Sequence, residues 1–178
     1  TAPVITCPAD KTVSCEESLN PQVNTSLGIA ISVDNCDPDP GVTFTDFPTQ
    51  GNCPNERTIL RTWLTVDNCN NPAACTQTIH VVDDTAPTLV CPANVTVNCE
   101  VNPIPANTGG NATATDLCDT NPVVTHSDVS TPAACPVLRT IARTWMAVDA
   151  CGNSTICVQT ITVQDTTRLV IICPANVT

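Results

Sequence analysis

The feature that most restricts this chain is a cysteine pattern that occurs twice. From Cys7 the intervals to the following cysteines are 8, 21, 17, 16 and 6 residues, and from Cys91 they are 8, 19, 17, 16 and 6. Spacing kept this closely reads as one crosslinked scaffold used twice. The same register aligns Arg57 with Arg139, Arg61 with Arg143, Trp63 with Trp145, Asp67 with Asp149 and Gln77 with Gln159. A Cys-Pro-Ala start recurs at Cys7, Cys91 and Cys173. The expected organisation is therefore a repeat over 1–84, a second over 85–166, and the first strand of a further repeat over 167–178. Of the thirteen cysteines, Cys173 is the odd one, and its partner is expected in the repeat that follows. Any signal peptide or anchor is expected outside this segment.

Cysteine in this quantity points either to metal ligation or to an oxidising compartment. No Cys-x-x-Cys or close Cys/His pair of the zinc-binding kind is present, so a disulfide framework in an extracellular or cell-surface setting is expected. Lys11 and five arginines face 17 acidic residues, for a net charge of −11. That balance lacks the basic footprint of a nucleic-acid binder and opposes docking on an anionic membrane. No apolar run reaches the ~18 residues of a membrane-spanning helix.

Each repeat alternates short Thr- and Val-rich runs with Pro, Asn, Asp and Gly breaks. Residues 57–66 and 75–82 read as an antiparallel hairpin, repeated 82 residues later. Before it come extended pieces at 2–7, 11–15 and 42–46 and an apolar run at 27–33, long enough for a buried strand. Helical periodicity is absent throughout, and sixteen prolines would break most helices. About seven strands per repeat imply an all-β fold: tandem, immunoglobulin-like antiparallel β-sandwiches with a disulfide framework. With no Tyr, two Phe and two Trp, the core is small, and the crosslinks carry much of the stability.

If the strands alternate in direction, Cys15 and Cys53 fall near one end of the sandwich and Cys7, Cys36, Cys69 and Cys75 near the other. The favoured pairing is then Cys7–Cys75, Cys15–Cys53 and Cys36–Cys69, with Cys91–Cys157, Cys99–Cys135 and Cys118–Cys151 in the second repeat. A rival set joins Cys7 to Cys36 and Cys69 to Cys75. Chain entropy favours the long bridge, worth roughly 4 kcal/mol for Cys7–Cys75 against about 2 for a six-residue loop.

The stretches DDTAPTLVCPANVTV, TATD and RTWMAVDACGNSTICVQTITVQDTT resemble the hyalin-repeat (HYR) and HYR-like domains of secreted bacterial surface proteins, many of them exported by type IX secretion. The resemblance covers essentially the whole chain as two repeats and a fragment. It implies immunoglobulin-like sandwiches serving adhesion or surface scaffolding, with no catalytic residues to carry over. Six cysteines per repeat exceed the simplest pattern of that family.

Candidate chemistry is sparse. His80 and His126 are not repeated, and each reads as a solvent-facing strand residue without a nucleophile or orienting group. Asp34, Asp37, Asp39, Asp83 and Asp84 are candidate calcium ligands at a loop and a repeat junction, although no twelve-residue calcium loop is present; the competing reading is that such carboxylates bond turn amides, as for Asp67 and Asp149. Asp84-Thr85-Ala86 and Asp165-Thr166-Thr167 resemble a bacterial O-glycosylation motif, which marks Thr85 and Thr166. Asn24, Asn94, Asn111, Asn153 and Asn176 head weaker N-type sequons. Trp63 is open between two orientations: Leu60, Leu64 and Val66 form the more apolar face of its strand, whereas the immunoglobulin-like analogy buries the indole. The same holds for Trp145. The reading is non-enzymatic: a structural repeat of an extracellular bacterial fibre, stalk or adhesin shaft, bearing glycans and contacting further copies of itself. The alternative is a glycan- or protein-binding adhesion module using loops 34–41 and 116–122.

Overall fold

The structure of the chain, a computed structural model, describes residues 1–171. It divides into two compact units. The first comprises Thr1–Pro87 with Thr115–Pro122 and Val148–Asn153; the second comprises Thr88–Ala114, Val123–Ala147 and the described residues from Ser154 onward. Two loops that belong to the second repeat in sequence are thus part of the first unit in space.

In the first unit, β1 (Val4–Thr6), β2 (Lys11–Ser14), β3 (Ile31–Val33), β4 (Val42–Gln50), β5 (Arg57–Val66) and β6 (Pro72–Val82) form two layers. One sheet has the order β2-β6-β5-β4 and the other is the pair β1-β3. The second unit repeats this with β7 (Thr88–Val90), β8 (Val95–Asn98), β9 (Thr113–Thr115), β10 (Val123–Pro132), β11 (Val137–Val148) and β12 (Ser154–Gln164), in sheets β10-β11-β12-β8 and β7-β9. The chain is all-β and of immunoglobulin-like sandwich type, with six strands per repeat where about seven were expected. The strands are not all antiparallel, because β2 runs parallel to β6 in the register Lys11↔Ile79 to Ser14↔Val82. Pro8-Ala9-Asp10 interrupts the ladder after β1 and moves the chain into the other sheet, where a free edge accepts it.

The run 27–33 is not a buried strand. A 3-10 turn, Thr25–Leu27, ends at Gly28 with φ 71°, a backbone state that a side chain disfavours. A Cβ there would also meet Pro8 Cβ at 2.9 Å. Only Ile31–Val33 remains extended. It pairs with β1 alone, so Ile29, Ile31 and Val33 stay 55–68% exposed.

The inward face of β5 settles the tryptophan question. Ile59, Arg61, Trp63 and Thr65 are buried, whereas Leu60, Leu64 and Val66 are exposed by 40–45%. The more apolar face looks outward because the register supplies Arg61 with a counter-charge. Asp46, Arg61 and Gln77 lie directly across β4, β5 and β6 from one another. Arg61 Nε and Nη2 donate to the two Asp46 oxygens at 2.7 and 2.8 Å, and Nη2 also reaches Leu19 O at 2.7 Å. With its charge matched, arginine can be enclosed, and the indole beside it follows. Gln77 completes the arrangement by donating to Ala9 O and Leu27 O and accepting from Trp63 Nε1.

The second unit is built alike. Arg143 bonds Asp128, Pro103 O and Thr108 Oγ1, and Gln159 donates to Ala93 O and Thr108 O. Small apolar clusters lie alongside: Val13, Leu27, Ile59, Ile79 and Val81 in the first unit, and Val97, Ile141, Ile161 and Val163 in the second.

Candidate functional site

The chain's chemistry is concentrated in its cysteine loops. Cys7 bonds Cys75 and Cys91 bonds Cys157, each joining the piece after the first strand of a repeat to the last one. The other pairings differ from the expected set. Cys15 is joined to Cys118 and Cys53 to Cys151, with Cα–Cα distances of 5.9 and 5.1 Å. Cys15–Cys53, Cys36–Cys69, Cys99–Cys135 and Cys118–Cys151 do not form, and Cys36, Cys69, Cys99 and Cys135 are free and exposed. The expectation assumed that every bond closes within one repeat. The second repeat's loops instead belong to the first unit, which brings Cys118 and Cys151 within bonding distance of Cys15 and Cys53. Cys173 and Asn176, like most of the expected strand 167–178, lie outside the described residues.

The loops that carry Cys118 and Cys151 are each held by an aspartate two residues before the cysteine. Asp116 Oδ1 accepts from Cys118 N and Asp119 N, both at 2.8 Å, and Asp149 Oδ1 accepts from Cys151 N at 2.9 Å and Asn153 N at 2.8 Å. The first repeat has the same turns: Asp34 Oδ1 takes Cys36 N and Asp37 N, and Asp67 Oδ1 takes Cys69 N and Asn71 N. A carboxylate that caps the amide two residues on makes an Asx turn, which fixes the direction of the thiol. The bond between Asp67 and the Asn71 side chain holds the Asp67 carboxyl below its ordinary range. The hairpin turn needs one residue with positive φ; it is Asn70 (63°) in one repeat and Gly152 (92°) in the other.

The two loops of each repeat are also tied together. Ala150 N donates to Asp119 Oδ2 at 2.9 Å, and Asn68 N donates to Asp37 Oδ2 at 3.1 Å. Beside Cys15 and Cys118 lies Asp83, only 5% exposed. Asn55 Nδ2 reaches its Oδ2 at 3.3 Å, Asn153 Nδ2 reaches its carbonyl at 2.9 Å, and its Oδ1 has no partner. Burial, reinforced by repulsion from Asp149 and Asp116, raises the Asp83 carboxyl above its ordinary value. A carboxylate oxygen of Asp83 and the sulfurs of Cys15 and Cys118 fall within 4.8 Å of one another. Those sulfurs are joined to each other and are not thiolate ligands.

The remaining candidates are dispersed. Asp34 and Asp37 use carboxylate oxygens on loop amides, Asp39 is exposed and donates its amide to Asp37, and Asp84 is exposed. Thr85 and Thr166 are exposed, and Thr166 Oγ1 accepts from Asn98 Nδ2. Asn94 and Asn111 are exposed, whereas Asn24 Nδ2 is bonded to Glu17 and Asn153 Nδ2 to Asp83 O and Asp149. His80 lies against Thr58, and His126 packs on Trp145 with its ring tilted 45° and 4.8 Å between ring centres, where Phe44 packs on Trp63 at 55° and 5.1 Å in the other repeat. Both histidines are exposed. Sequence reading missed the partners Asp46 and Asp128. Their signal was available, since they stand 82 residues apart like the arginines they bind.

No protein-family model matches the chain, and no curated protein matches it. Among solved structures, it is similar to human mucin-like protocadherin EC1-2, at 11% identity over 92% of this chain and 98% of that one, with a TM-score of 0.33. It is also similar to protocadherin gamma C5 EC1-3, at 11% identity over 92% of this chain and 68% of that one, with a TM-score of 0.32. Likeness at this level carries no functional information.

Proposed function

We propose that this chain is a structural repeat segment of an extracellular surface fibre, stalk or adhesin shaft, whose contribution is crosslinked architecture and not reactivity. One observation carries the reading: Cys15–Cys118 and Cys53–Cys151 run from the first repeat in sequence to loops of the second, so consecutive repeats are stapled twice. Such links belong to an oxidising environment. Stapled repeats resist unfolding and proteolysis, because opening one requires its neighbour to open as well. The acidic surface keeps copies soluble, and exposed Thr85 and Thr166 are the positions offered for glycans. The resemblance to HYR-type repeats of secreted bacterial proteins supports the same reading.

The test is negative-stain imaging of native material together with non-reducing intact mass. Extended fibres carrying disulfides are expected, with added mass at Thr85 and Thr166 if glycans coat them. Isolated particles that capture a glycan or protein saturably through loops 34–41 or 116–122 would replace this reading with a binding module.

A further inference from the structure

The four cysteines that are free among the described residues are not a random remainder. By interval, Cys36 and Cys69 stand where Cys118 and Cys151 stand in the second repeat, and Cys99 and Cys135 stand where Cys15 and Cys53 stand in the first. The structure therefore contains one complete two-disulfide link and both of its halves unbonded.

The unbonded halves are already shaped. Cys36 N and Cys69 N lie 2.8 Å from the carboxylates of Asp34 and Asp67, matching 2.8 and 2.9 Å for Cys118 and Cys151. The Asp37–Asn68 bond couples their two loops as Asp119–Ala150 couples the bonded pair. On the other half, Cys99 N donates to Gln164 O at 3.0 Å, as Cys15 N donates to Val82 O at 2.8 Å. Cys135 sits in a turn closed by Ala133 N to Leu138 O, the counterpart of Gly51 N to Glu56 O around Cys53. Surroundings differ where a link would cover them. Asp83 beside the completed link is buried, whereas its counterpart Asp165 is exposed. Asn153 Nδ2 reaches Asp83 O, whereas its counterpart Asn71 bonds only within its own loop.

We infer that these cysteines are the open ends of the same link and are closed by another copy of the repeat: Cys99 by Cys36 of a second copy of the chain, and Cys135 by Cys69 of that copy. This rests on the array reading and adds its covalent register. Each closure joins two thiols as one disulfide by exchange with a small-molecule disulfide such as oxidised glutathione. The two thiol protons and two electrons pass to that oxidant, which leaves as two thiols. Once the first bond forms, the second closes within one molecule, so doubly linked copies should exceed singly linked ones by about a hundredfold.

The test uses the 178-residue chain with Cys173→Ser, incubated with reduced and oxidised glutathione and read by non-reducing electrophoresis and disulfide peptide mapping. A ladder of covalent oligomers is expected, with Cys36–Cys99 and Cys69–Cys135 peptides. C36S/C69S alone and C99S/C135S alone should each stop at monomer, and their mixture should stop at dimer. A ladder that survives C36S/C69S, a Cys36–Cys69 peptide, or four thiols still open to alkylation after oxidation would overturn the link. Native fibres in which these thiols stay alkylatable would sink it while leaving the array reading intact. Isolated particles in native material would sink that reading, whatever the peptides of the oxidised chain show.

Discussion

Replacing Asp128 by Asn tests whether the buried arginine determines which face of its strand points inward. The Arg143 side chain is 2% exposed, and its Nε and Nη2 donate to the two Asp128 oxygens, each at 2.8 Å. Asn keeps one acceptor, removes the counter-charge, and turns an NH2 toward the guanidinium. Breaking a fully buried pair costs about 3–5 kcal/mol. Asp128 itself is 35% exposed, so water screens part of the loss, and about 2 kcal/mol is expected. For a unit of this size that is a fall of roughly 10 °C in Tm. Urea unfolding in a Trp63→Phe background, with disulfides intact, isolates the second unit through Trp145 fluorescence.

The pH dependence follows from the same bond. Hydrogen bonding to Arg143 holds the Asp128 carboxyl below its ordinary 3.8, so the folded state binds that proton more weakly than the unfolded chain. The resulting stability is present above about pH 4 and disappears as pH falls through the lowered value. The gap between the native chain and D128N should close along that limb. A gap below about 0.5 kcal/mol at neutral pH, within the range of ordinary surface substitutions, or a gap that stays constant into acid, would refute the reasoning.

Two further outcomes follow from the crosslinks and from Asp83. Cys7→Ala/Cys75→Ala opens a 68-residue loop and should lower stability by up to about 4 kcal/mol, seen as a shift of the non-reducing urea midpoint; an unchanged midpoint would contradict it. Asp83→Asn should raise Tm at neutral pH. Burial lifts this carboxyl above 3.8, so the folded state is most stable with Asp83 protonated and loses stability as pH rises through the raised value. Asn imitates the protonated form, and its advantage should vanish below about pH 4; a neutral-pH Tm at or below that of the native chain would count against it.

Local pattern was enough for some of this protein. The strand character of 57–66 and 75–82 and the absence of α-helices among the described residues follow from residue periodicity and from proline and glycine breaks, which act over a few residues and need no partner. The Asp-x-Cys turns are equally local, because the carboxylate bonds its own loop.

Tertiary structure decided what depends on contacts across long separations. Whether Arg61 faces inward depends on Asp46 arriving opposite it in the neighbouring strand, and hydropathy along one strand cannot register that. Which cysteine meets Cys15 depends on which loop enters the first unit. Cys118 is 103 residues away in sequence and 5.9 Å away between Cα atoms. A disulfide is selected by distance in space, and intervals along the chain constrain that distance only where the chain is short.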